Sequence, residues 1–208
     1  MTISQCLLED EYIKWDPTQQ RIRCQGHIIN LAVQAFLFKD VIDVKQIKLY
    51  EKDEESGKEL GEKEKKDKQD AFRRMGVLGK LHNIVVHIRS SAARTRLFVS
   101  YTERRIPLDN HTRWNSWFYI LVIALQYRSA VDKYVEENLL TLRKDSLTPQ
   151  DWQLLRMISE FLAPFEKATR KLQGDDATLD QVLPTMDILI EHMDRALVCL
   201  SLLLTCKI

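Results

Sequence analysis

At 208 residues and 45% hydrophobic content, the chain has material for one large domain, or a domain with an excursion, around a real core. No stretch approaches the roughly 20 consecutive apolar residues of a membrane helix, and no basic segment precedes an apolar run at Met1, so neither membrane insertion nor secretion is expected. The net charge of +1 hides an asymmetry: residues 1–70 hold 12 Lys+Arg against 15 Asp+Glu, residues 71–128 hold 10 against 2, and residues 129–208 hold 9 against 13. The middle segment is thus +8, with nine arginines among its ten cations, and is where a footprint for phosphate is to be sought, although such arginines also pair with acidic faces of their own protein. Cys6, Cys24, Cys199 and Cys206 are scattered without a disulfide framework, which favours a reducing compartment, nucleus or cytosol.

Along the chain, Arg21-Ile22-Arg23-Cys24 reads as a short strand-like start running into an apolar helix from His27 to Phe38. Its Ile28, Leu31, Ala32 and Ala35 form an i, i+3, i+4, i+7 stripe. From Glu51 to Asp70 acids and lysines replace nearly every apolar residue; such a segment buries too little surface to offset chain entropy and reads as a disordered linker, the alternative being a lone exposed helix. Leu81, Ile84, Val85, Ile88 and Ala92 mark one face of a helix over about 79–101, with Arg89 and Arg96 off the stripe.

Pro107 and Asp109-Asn110 then mark a connection, and a second helix follows over about 115–137 with Phe118, Leu121, Val122 and Leu125 inward. Thr148-Pro149-Gln150-Asp151 is a helix start: threonine accepts from an orphan amide, proline fits the first turn and aspartate complements the dipole. That helix carries Leu154, Ile158, Phe161 and Phe165 on one side. Gly174-Asp175-Asp176 breaks the chain, and Thr178 with Gln181 resembles a capping box for a last helix, in which Pro184 predicts a kink or a later start. The last helix's Leu183, Met186, Ile190, Met193, Leu197 and Leu200 need a partner surface. The fold class expected is mainly α.

Three patches carry a resemblance: Cys24-Gln25-Gly26-His27-Ile28-Ile29-Asn30-Leu31, then Leu78-Gly79-Lys80-Leu81-His82-Asn83 with Ile88-Arg89-Ser90-Ser91, then Thr112-Arg113-Trp114-Asn115-Ser116. Each is weak alone; in this order, over roughly residues 12–190, they resemble hAT-superfamily DNA transposases, the fungal group in particular. The resemblance implies a ribonuclease H-like core with a large inserted helical domain. On that basis residues 1–45 would be a core remnant carrying the C-x-x-H motif, 46–75 a charged disordered linker, and 76–208 the helical insertion. Family members cleave DNA with a trio of acids holding divalent metal such as Mg, by two-metal logic. None of the three acids matches a position here, so the chain is expected to be a transposase-derived fragment without cofactor or cleavage activity of its own. Asp10, Asp16, Asp109 and Glu160 read as surface or capping carboxylates.

The resemblance also implies that Trp114 stacks on a base displaced from the duplex, worth about 1–3 kcal/mol, beside a phosphate contact from Arg113. The plain alternative is that Trp114 and Trp117 pack the start of a helix. Arg104 and Arg105, with Arg94 and Arg96, would add phosphate contacts that read no sequence. Cys24, His27, Asn30 and Asn115 are motif positions. Cys24 with His27 lacks a second ligand pair for zinc, and neither Cys6, His82 nor His87 supplies one without folding that spacing does not show, so a buried thiol with a hydrogen-bonded histidine is expected. The expected partners are DNA, in the nucleus, and either a second copy or a full-length transposase; no membrane or small-molecule substrate is expected. The rival reading is a helical protein-interaction module, or a degenerate transposon remnant without DNA binding.

Overall fold

Helix boundaries follow local chemistry. In a computed structural model the structure describes residues 25–38, 61–108, 114–172 and 178–205, with the backbone alone for 62, 179 and 198–205. The described residues are mainly helical, with no strand among them, as the sequence led us to expect. In chain order they form α1 (Gln25–Phe38), α2 (Glu62–Arg73), α3 (Val77–Arg89), α4 (Ala92–Thr102), α5 (Asn115–Gln126), α6 (Arg128–Glu137), a single turn α7 (Leu139–Leu142) with a 3₁₀ turn over Arg143–Asp145, α8 (Pro149–Leu172) and α9 (Leu179–Thr205). The strand-like start at 21–24, residues 46–60 of the expected linker, and the break at Gly174–Asp176 lie outside the described residues.

The start of α8 is as local as the sequence suggests. Thr148 Oγ1 accepts from the Asp151 amide at 3.1 Å and Asp151 Oδ2 accepts from the Thr148 amide at 2.9 Å, a reciprocal box that satisfies two orphan donors. Lys80 of α3 reaches the same carboxylate at 2.8 Å. Burial pushes the Asp151 carboxyl up, but the bonds from Lys80 and Thr148 outweigh it and hold it below the usual range.

Four expectations are corrected. The single helix over 79–101 is two, α3 and α4, because Ser91 adopts extended backbone and caps α4, its hydroxyl accepting from the Arg94 amide at 3.2 Å. The single helix over 115–137 is likewise divided at Tyr127, whose φ of −112° and ψ of 35° leave the helical region. Residues 62–73 are the helix α2 rather than part of a disordered linker, and not a lone one: glutamate and lysine favour the helix, and Ala71 and Phe72 bury its last turn against α3. Pro184 does not delay the last helix, since α9 begins five residues earlier and holds the proline inside it.

The faces turn out mixed. On α3 the expected Leu81, Ile84, Val85 and Ile88 are all fully buried, while Ala92 is exposed at the head of α4. On α1 the expected stripe points outward: Ile29, Val33 and Leu37 enter the core, whereas Ile28, Leu31, Ala32 and Ala35 are exposed. That helix is apolar on both sides, so periodicity alone offers two stripes and only packing chooses between them. On α5, Trp117, Ile120, Leu121 and Ala124 face the core, so of the expected four only Leu121 is fully inside, with Phe118 and Leu125 partly covered and Val122 outward.

Two helices organise the packing. Core helix α3 touches α2, α4 and the 3₁₀ turn, and α8 touches α5, α1 and α9 as well as α3 itself. The α2–α3 crossing is unusually close: a Cβ placed on Gly79 would lie 1.7 Å from the Phe72 carbonyl oxygen. Only glycine lets these two backbones meet.

Candidate nucleic-acid interface

The first and third motifs of the sequence meet inside the fold. Asn30, on the inner half of α1, accepts the Trp114 backbone N–H at 3.1 Å, tying the first motif to the third across 84 positions. Trp114 then turns into the core at 1% exposure, edge-on to Phe118 with ring centres 6.2 Å apart. Its indole Nε1 finds no hydrogen-bond partner among the described residues. Trp117 is fully buried beside Phe38 and against the His82 ring at 5.8 Å, and His82 stacks in turn on Phe72 at 3.5 Å.

This geometry corrects the base-stacking expectation for Trp114. An indole enclosed by its own domain has no face to offer a flipped base, and the plain alternative, helix-start packing by Trp114 and Trp117, is what the structure shows. Arg113 and Cys24 lie outside the described residues. His27 is exposed on the first turn of α1, while the thiol expected to be buried beside it, Cys24, is outside the described residues, and Asn115 is half-buried at the head of α5.

The second motif is structural too. Asn83 Nδ2 donates to the Gln69 carbonyl at 3.1 Å and to Asp145 Oδ1 at 2.9 Å. Asp145, at 0% exposure, also accepts a two-pronged pair from Arg73, Nε at 2.8 Å and Nη2 at 2.7 Å. The bond to Asp145 holds the Arg73 guanidinium above its ordinary value, and Arg73 in turn draws the half-buried Asp70 down. Sequence reasoning missed this cluster because its members are 62 and 72 positions apart and no spacing rule joins them. Nearby, His87 Nδ1 lies 3.0 Å from the Tyr134 hydroxyl; burial first, then the Arg94 charge, push this imidazole down to about 4.

Around the end of α4 the exposed side chains are mostly cationic. Arg104 and Arg105 follow α4 in an exposed segment that starts at Glu103, a left-handed C-cap with φ of 54°. Thr102 fixes this corner, its Oγ1 donating to the Arg104 carbonyl at 2.7 Å. Arg96 is exposed on α4, and Arg94, also exposed, donates to Ser90 Oγ at 2.6 Å. Arg96, Arg104 and Arg105 have no ion-pair partner among the described residues, and Glu103 is the single acid over 71–108. Arg89, missed as a candidate, sits half-buried at the end of α3, its Nε and Nη1 without a hydrogen-bond partner among the described residues.

The structure therefore divides the proposed set: Arg104 and Arg105 lie at the surface, Trp114 lies in the core. Of the four acids singled out, Glu160 is exposed on α8, while Asp10, Asp16 and Asp109 lie outside the described residues. Among the described residues no three His, Cys, Asp or Glu side chains come together as a metal site. No helix among them is long and apolar enough to cross a membrane.

The chain is 26% identical over 107 residues to human "Zinc finger BED domain-containing protein 4", a match spanning 49% of this chain and 9% of that protein. No solved structure matches. A family described as the ZBED1 RNase-like helical domain matches residues 22–161, more than half of the chain, from α1 into α8, and the chain belongs to that family.

Proposed function

We propose that this transposase-derived helical domain holds DNA by its phosphates, on the surface that carries Arg96, Arg104 and Arg105, and not by stacking a base on Trp114. The observation that supports this reading is the exposure of these guanidiniums without carboxylate partners among the described residues, in the stretch where acids are scarcest. A planar fork with five donors suits phosphate oxygens, and unpaired surface cations release condensed counterions from DNA on binding. Such contacts position a protein on the duplex without reading it. In this reading the carboxylates for cleavage belong elsewhere in the transposase architecture, and the place of action is the nucleus.

The test is titration of a labelled duplex with the Arg104→Gln/Arg105→Gln double variant and the parent chain, at salt between 50 and 200 mM. Two lost phosphate contacts lower the slope of log K against log salt by about two and weaken binding alike on unrelated sequences. An unchanged slope sinks the proposal. Trp114→Phe, which keeps a buried ring, leaves affinity for flipped-base and plain duplex DNA in the same ratio as the parent; a selective loss on the flipped base restores the stacking role.

A further inference from the structure

Helix α9 presents a second surface, of different chemistry. Leu183, Met186, Ile190, Met193 and Leu197 recur at alternating spacings of three and four, the pattern of a helix seam. In the fold, α9 packs against α8 through His192, Thr185 and Leu189 are buried, and the two methionines are half-covered, Met186 beside Gln25 of α1. The other half of the seam is left over: Leu183, Ile190 and Leu197 are 71%, 47% and 64% exposed. Three large apolar side chains one heptad apart form a row about 21 Å long on an α-helix, not the scattered exposure that needs no explanation.

Charge identifies what fits there. At 100° per residue, the row occupies one angular sector and Asp194, Asp187, Asp180 and Glu191 occupy the next, on the side away from α8. All four acids are exposed, and the single lysine or arginine over 179–197, Arg195, is bonded to Glu191. The outer margin of the row is therefore a ridge of carboxylates. A second copy of this chain fits it poorly: an antiparallel pairing sets Asp187 and Asp194 against their own counterparts, and a parallel one needs the opposite flank, Leu189 included, which is already buried in the fold. An anionic lipid surface is repelled by the same ridge.

We propose that α9 docks an amphipathic helix of another protein segment, with leucine-like residues in heptad spacing and lysine or arginine along one flank, laid against Leu183, Ile190 and Leu197 with its cations over Asp187 and Asp194. The mode is helix-in-groove recognition, in which the apolar row supplies affinity and the acidic ridge sets orientation and partner choice.

The probe is a labelled 21-residue helical peptide with leucines at heptad seam positions and lysines on one flank, compared with the same peptide carrying glutamates there. With the full chain and anisotropy as readout, the lysine peptide binds at least tenfold more tightly. Ile190→Gln and, separately, Leu183→Gln cut that affinity at least tenfold without moving the thermal midpoint, since both side chains are outside the core. Asp187→Lys/Asp194→Lys inverts the preference toward the glutamate peptide. Equal affinity for the two peptides, a preference that survives the charge reversal, or a chain that sediments as a dimer disrupted by Ile190→Gln would overturn the proposal.

Discussion

At the residue scale, the polar side chains that look most like a site hold the domain together instead. Asp145 is a fully buried carboxylate whose charge is met by Arg73 and Asn83. Removing the arginine strands that charge, so Arg73→Met is expected to destabilise the chain by about 3 kcal/mol, read from urea unfolding; a loss under about 1 kcal/mol would show that the cluster is dispensable. His87 makes stability depend on pH. Well above pH 6.5 the imidazole is uncharged in both states. Between its ordinary 6.5 and about 4 the unfolded chain takes up a proton that the folded chain refuses, so stability falls as pH drops, by up to about 1.4 kcal/mol per unit. Melting curves between pH 7.5 and 4.5 should show this slope, and His87→Gln should flatten it. Little of this was legible beforehand: His82 and Asn83 stand together in one motif, but the stack onto Phe72 and Trp117 and the bond to Asp145 depend on residues far along the chain.

At the element scale, what is local was readable and what is shared between helices was not. The box at Thr148 and Asp151 is written in four consecutive residues, and the helix starts there. The division at Ser91 was also encoded locally, in an adjacent serine pair whose second member caps α4; reading the apolar stripe through it merged two helices. Gly79 belongs to the opposite case. Its neighbours suggest an ordinary helix position where alanine would be preferred, yet the Phe72 backbone approaches so closely that a methyl group cannot fit. Gly79→Ala is expected to cost about 3 kcal/mol, because backbone must move, against a gain in helix propensity near 1 kcal/mol. Circular dichroism melts would settle the sign: a more stable variant would mean that α2 and α3 part without penalty.

At the scale of the whole molecule, charge and apolar surface are segregated. Arginines with Glu103 as the single acid among them line the stretch around α4, while the acids of α9 border an exposed apolar row. On the proposed phosphate-binding reading, the purified chain with Mg²⁺ is expected to leave supercoiled plasmid intact; nicking abolished by Glu160→Gln would overturn that expectation. The sequence by itself determined the helical class, because hydrophobic periods of 3.6 and capping chemistry act within a few residues, and it determined where cations concentrate, because composition needs no fold to be counted. Tertiary structure alone decided which face of α1 is inside, that Trp114 is enclosed while Arg104 and Arg105 are not, and that Arg73 answers Asp145. The physical reason is common to all three: burial is a property of the neighbours a side chain acquires when distant segments pack, and a helix apolar on two sides, or a tryptophan next to an arginine, is compatible with either outcome until they do.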